Sequence, residues 1–250
     1  MSVLRWLFEA QIVIGDNHIL WREVIGNGFG LASAIGGMRR RVWAWPVGIV
    51  ANLMLLTVFL DFLFENPQDK NMYGQASRQV FFIVVSVYGW VRWRQNVRQR
   101  ELAARSGTAD GTQAGRVPAV TPRWANAQER MATLALAAAG VVACYFIFRE
   151  LGAFPGAQWW FFLADSWIFV GSILATYAMA RGWVEFWLYW IAVDLVGVPL
   201  LWHSKFYPSA VLFAVYGGFV LWGFFVWRRV ARQEADQAAD PADPVAEAMA

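Results

Sequence analysis

Apolar residues run through this chain in long unbroken stretches, separated by short polar breaks and without the alternation of half-buried strands. Seven stretches stand out, at 20–38, 43–64, 73–93, 128–148, 159–180, 183–202 and 207–227. A helix needs roughly 20 mainly apolar residues to cross about 30 Å of hydrocarbon. The pattern therefore predicts an all-α integral membrane protein with seven transmembrane helices. Continuous runs such as 47–60 exclude a membrane barrel, whose strands alternate over about ten residues. The first span is the least apolar, because it holds Arg22 and Glu23.

The polar breaks set the organisation. Residues 1–19 form an N-terminal segment without the long apolar core and small-residue cleavage site of a secretory signal. Residues 94–127, rich in Arg, Gly, Ala and Thr with Pro118 and Pro122, read as a polar linker. The stretch 128–148 is then a connecting helix between a first three-helix repeat at 20–93 and a second at 159–229. After Arg232 the chain is Ala, Asp, Glu and Pro without apolar periodicity, so 230–250 is expected to be a disordered tail.

The two halves repeat. An offset of 142 pairs Glu23 with Asp165, Arg39 with Arg181, Trp45 with Trp187, Ile49 with Ile191, Asn52 with Asp194 and Leu53 with Leu195. An offset of 134 continues the match, pairing Tyr73 with Tyr207, Ala76 with Ala210, Gly89 with Gly223, Trp93 with Trp227 and Arg94 with Arg228. Three helices, one connector and three helices make a 3+1+3 parallel repeat, because an odd unit and an odd connector leave both units the same way up. Such repeats mark transporters.

Composition agrees. The chain is 58% hydrophobic and 16% charged, with 16 Trp and 19 Phe, and indoles favour bilayer interfaces. Its pI near 9.2 comes from Arg clusters beside apolar spans, not from a basic stripe on a polar domain, so no nucleic-acid partner is expected. With the N-terminus outside, 15 of the 21 basic residues fall on the cytoplasmic side, which favours N-out and C-in. The single Cys144 lies in an apolar span and reads as packing. His18 and His203 have no zinc spacing, and no nucleophile elbow or phosphate-cradling loop is present. Neither an enzyme nor a metal or other cofactor is expected.

Candidate chemistry sits in the spans. Trp187, Trp190 and Asp194, at i, i+3 and i+7, share one helical face in the sixth span. Two indoles and a carboxylate suit a flat aromatic or cationic ring, and an acid at membrane depth faces an interior cavity by default. The repeat-related face is Trp45, Gly48 and Asn52, behind Pro46. Gln75 and Gln79, one turn apart in the third span, offer amides to sugar hydroxyls or a carboxamide, and Gln79 is the deeper. Tyr88 ends that span beside Gly89. Lys205, one of two lysines, stands in the outer loop between spans six and seven, where a solvated loop charge is the ordinary explanation. The plain alternative for the tryptophans is a lipid belt, in a receptor or scaffold that transports nothing.

Trp45-Pro46-Val47-Gly48-Ile49, Tyr73 followed by Gln79, Tyr88-Gly89-Trp90 with Trp93, and Trp187-Leu188-Tyr189-Trp190-Ile191-Ala192-Val193-Asp194 together resemble the PnuC family of transporters, as do 205–207 and 223–227. The resemblance runs from Trp21 to Arg229. It implies a fold related to SWEET sugar transporters, a homotrimer in the bacterial inner membrane, and facilitated diffusion of unphosphorylated nicotinamide riboside, trapped afterwards by a cytoplasmic kinase. Relatives carrying thiamine, riboflavin or a deoxyribonucleoside leave the substrate open. Gly74 and Gln75 after Tyr73, and the pair Gly217-Gly218, depart from the family pattern.

Overall fold

A computed structural model of the chain describes residues 10–14, 17–59, 73–105, 119–151, 158–203 and 207–238. Among them a hairpin, β1 (Gln11–Ile14) and β2 (Asn17–Leu20), precedes seven helices. These are α1 (Trp21–Met38), α2 (Ala44–Phe59), α3 (Tyr73–Arg105), α4 (Ala127–Glu150), α5 (Trp159–Arg181), α6 (Phe186–His203) and α7 (Tyr207–Ala238). Each predicted span falls on one helix as far as the described residues run; 60–64 of the second span, and 1–9 and 239–250 of the terminal segments, lie outside them.

Three segments differ from expectation. The N-terminal segment holds the antiparallel hairpin, with Gln11 opposite Leu20, and the amide of Trp21 donates to the carbonyl of Ala10 at 3.0 Å. A Gly-Asp pair between two apolar runs is a hairpin signal that a search for long spans passes over. α3 continues to Arg105 and α7 to Ala238, so 94–105 and 230–238 are helix where linker and disordered tail were expected. Both extensions consist mainly of Arg, Gln, Glu and Ala, strong helix formers that need no buried face to continue an existing helix.

The helices form two compact units, Met1–Ala119 and Val120–Ala250. In the first, the middle helix α2 packs against both α1 and α3; in the second, α6 packs against α5 and α7, with α4 against α5. The middle helices carry most of the candidate site. α4 and α5 are long and apolar enough to cross a bilayer. α4 leaves Met131, Leu134, Leu136, Val142, Phe146 and Ile147 exposed, a surface suited to lipid. Cys144 is half-buried against the cluster around Phe148 and Phe169.

The repeat extends to the backbone. α1 ends with the amides of Arg40 and Arg41 donating to the carbonyls of Gly37 and Gly36, each at 2.9 Å; α5 ends with Gly182 and Trp183 donating to Met179 and Ala178, each at 3.0 Å. The residue that turns left-handed is Arg40 in one unit (φ 56°) and Gly182 in the other (φ 75°). Both turns then accept a backbone hydrogen bond, the carbonyl of Arg40 from Ala119 at 3.1 Å and that of Gly182 from Arg123 at 3.0 Å. The positions match at the offset of 142. A Schellman-type end satisfies the last helical carbonyls, and here the carbonyl of the turn residue accepts from a neighbouring backbone segment.

Candidate functional site

In the second unit, α6 spreads its three marked residues over different neighbours. Trp187 is 3% exposed, with its six-membered ring against the bare Cα of Gly223 on α7 and Trp227 edge-on at 6.3 Å. Trp190 is half-buried and packs with Trp160 and Phe161 against Ile168, Val193 and Leu200. A spacing of three residues turns about 60° away from the starting direction, and seven returns within about 20°. Trp190 accordingly meets α5, while Trp187 and Asp194 line the side facing α7. Asp194 is half-buried; its Oδ2 is shielded from solvent and has no hydrogen-bond partner among the described residues.

In the first unit, Trp45 repeats the arrangement. It is 3% exposed, a Cβ on Gly89 would come within 2.5 Å of its ring, and Trp93 stands edge-on at 5.2 Å and 90°. Gly48 admits the Ser33 hydroxyl, which donates to the carbonyl of Ala44 at 2.7 Å. Asn52 is half-buried on the same helix. Gln79 on α3 is 4% exposed and its Oε1 has no hydrogen-bond partner among the described residues. Tyr88 is exposed at the surface of α3. The side chain of Gln75 and the whole of Lys205 lie outside the described residues.

The marked residues thus divide by environment. Trp45 and Trp187 are wedges between helices, closed in by a glycine and a second indole. Gln79 Oε1 and Asp194 Oδ2 lack a donor among the described residues, as the indole Nε1 atoms of Trp45 and Trp187 lack an acceptor, and buried polar atoms of this kind are costly and rare unless something else supplies the partner. Among the described residues no group of three or more metal-ligating side chains occurs.

Sequence reasoning passed over a polar cluster at one end of the second unit. Glu185, 6% exposed, accepts from the amide of Ala125 at 3.0 and 3.1 Å and from Nε of Arg130 at 2.9 Å. Arg123 grips both oxygens of Glu129 at 2.8 and 2.7 Å, and Arg181 reaches Glu129 at 2.9 Å. That hydrogen bond from Arg123 to Glu129 raises the guanidinium above its ordinary pKa. Glu129 also closes a capping box with Asn126 at the start of α4. The guanidinium groups of Arg123 and Arg181 lie 5.8 and 5.5 Å from the ring centre of Trp183. The cluster ties residues 123–130 to the turn between α5 and α6. The capping sequence Asn126-Ala127-Gln128-Glu129 was the one signal available for it.

Comparison with known proteins adds the family. Residues 20–229 match the family described as nicotinamide mononucleotide transporter. The chain is 36% identical over 234 residues to the riboflavin/roseoflavin transporter RibM of Streptomyces davaonensis, across 93% of this chain and 96% of the relative. It is 24% identical over 263 residues to the nicotinamide riboside transporter PnuC of Escherichia coli, across 95% and 97%. The fold matches the crystal structure of the vitamin B3 transporter PnuC with a TM-score of 0.60 at 15% identity, over 85% of this chain and 83% of that one.

Proposed function

The chain belongs to the nicotinamide mononucleotide transporter family of multi-pass membrane vitamin transporters, and from that premise we propose that it carries riboflavin, or a flavin of the same tricyclic kind, by facilitated diffusion. It is a transporter and not an enzyme. The first expectation, nicotinamide riboside, gives way to the flavin alternative, because the relative sharing 36% of its residues is named for riboflavin and roseoflavin, whereas PnuC shares 24%.

The structural observation that carries this reading is the Asp194 Oδ2, shielded and without a donor, one helical turn from the half-buried Trp190. A flavin ring is flat and neutral, with an imide N–H at one edge. Trp190 stacks on the ring face and Asp194 accepts from that N–H. Gln79 and Asn52, in the first unit by itself, offer amides to hydroxyl or carboxamide groups. Trp45 and Trp187 shape the helices behind these groups. Phosphorylation of the flavin inside the cell, by a separate kinase, adds charge that prevents its return, so no nucleotide-binding loop is needed in this chain. The inner membrane, the N-out orientation supported by the distribution of Arg, and a homotrimer belong to the same reading.

Nicotinamide riboside remains the second reading, since a carboxylate at Asp194 also suits a cationic pyridinium. Titration of the purified protein with riboflavin, nicotinamide riboside and thiamine separates them. Saturable riboflavin binding, weakened roughly five- to hundredfold in Trp190→Ala, is the expected result. Saturation by nicotinamide riboside with none by riboflavin would replace the substrate.

A further inference from the structure

We propose that the second unit holds the headgroup of an anionic phospholipid at the end where α4 starts and α7 leaves the bilayer, between Arg130 with Trp124 on one side and the arginines of α7 on the other. The inference concerns a membrane partner and stands whichever vitamin is carried.

The outward stripe of α7 changes its chemistry within one turn. Trp222 and Phe225 are 58% and 59% exposed, and large apolar side chains left bare on a membrane helix belong in hydrocarbon. Arg229 and Arg232 continue the same stripe at spacings of four and three, and both are exposed. Four residues of helix rise about 6 Å, roughly the depth of one headgroup layer. α4 makes the same step at its start. The Arg130 side chain is 50% exposed, and Met131 and Leu134 just beyond it are 67% and 60% exposed.

The two steps lie side by side, because the segment that enters α4 touches α7. Trp124, 40% exposed, meets Phe224 edge-on with ring centres 6.5 Å apart. The Arg130 guanidinium lies 5.9 Å from the centre of the Trp124 ring. Arg228 stands one turn beyond Phe224 on the same face of α7. An indole with a guanidinium on either side is thus placed where apolar surface gives way to charge. Tryptophan settles at that depth because its ring is apolar and its N–H prefers a polar partner.

Charge selects the class of lipid. Glu129 is already held by Arg123 and Arg181, and Glu185 by Arg130. None of Arg228, Arg229 and Arg232 pairs with a carboxylate among the described residues. The acids Glu234 and Asp236 lie beyond Arg232, farther from the bilayer. Arg130 uses Nε and Nη2 on Glu185. A guanidinium has five N–H donors, so Arg130 keeps others for a second acceptor. The guanidinium fork matches a phosphate diester, and basic pockets between membrane helices take anionic headgroups. A zwitterionic headgroup brings a cation with its phosphate, which these arginines repel. An anionic one does not, and its acyl chains can lie along Phe225 and Trp222.

The test uses the full-length protein in neutral detergent, with the melting temperature read against added phosphatidylglycerol, phosphatidylcholine or inorganic phosphate. Phosphatidylglycerol is expected to raise it by about 3 °C or more, and the other two by less than about half as much. The rise should vanish when Arg228→Gln, Arg229→Gln and Arg232→Gln are combined. It should persist when Arg94→Gln and Arg98→Gln remove two exposed arginines from α3. If the triple variant does not fold, Arg229→Gln with Arg232→Gln, both on the exposed stripe, should lose at least about half of the rise. No rise with phosphatidylglycerol, or an equal rise with phosphatidylcholine, overturns the proposal. So does a rise that survives in the α7 variants, or one lost equally in the α3 variant, which would be a response to net charge. Phosphate alone reproducing the full effect would overturn it in favour of a soluble anion.

Discussion

The six-membered ring of Trp187 rests on the bare Cα of Gly223, closely enough that any side chain there would overlap it. Trp45 and Gly89 repeat the contact in the other unit. One alanine at either glycine must therefore push the indole or part the helices. Gly223→Ala and Gly89→Ala are each expected to destabilise by about 1–3 kcal/mol, the usual cost of overpacking. Gly28, with nothing within 4 Å of a Cβ, is the control, and Gly28→Ala should be neutral or stabilising by up to about 1 kcal/mol. Thermal unfolding in detergent reads all three, and equal melting temperatures would refute the wedge.

The two tryptophans of α6 should separate stability from binding. Trp187→Ala leaves a large hole between helices and is expected to cost about 3–5 kcal/mol. Trp190→Ala should lose about 1–3 kcal/mol of ligand stacking, roughly five- to hundredfold in affinity, with a smaller effect on unfolding. Flavin fluorescence titration beside a melting curve on each variant decides the matter. The opposite assignment would hold if Trp187→Ala stayed folded and lost the ligand.

Gln79 offers a sharper contrast, because its buried Oε1 has no donor in the structure. Replacing an unmet polar group by an apolar one of similar shape is close to neutral or stabilising. Gln79→Leu should therefore melt no lower than the wild type and transport poorly. Vesicle uptake that survived the change would make Gln79 a packing residue.

Glu185 holds the amide of Ala125 and the guanidinium of Arg130 while almost fully buried itself. Arg130 is half exposed, so solvent screens much of the ion pair. The amide bond matters more, and Glu185→Ala is expected to cost about 1–3 kcal/mol through unmet donors. Hydrogen exchange at the amide of Ala125 should accelerate in the variant. Unaltered exchange there would show that other contacts hold this segment.

Much of the fold was readable because long apolar runs permit few structures in lipid, and because the two offsets align tryptophans and glycines that do play matching parts. Trp45 with Gly89 and Trp187 with Gly223 follow from those offsets once their packing is seen. The extensions of α3 and α7 were missed for the opposite reason. Polar helix formers carry no apolar period, so a search for buried faces treats 94–105 and 230–238 as loop.

Sequence by itself determined the helices, their repeat and the residue types available at each depth, since these follow from local periodicity and from the cost of bare backbone in hydrocarbon. Only the tertiary structure decided that Trp187 faces α7 while Trp190 faces α5. A spacing of three residues leaves about 60° between side chains, and packing alone settles which neighbour fills each direction. It also decided that Ala119 bonds to the turn at Arg40 in the first unit and Arg123 to the turn at Gly182 in the second, because those bonds run between backbone groups common to almost every residue.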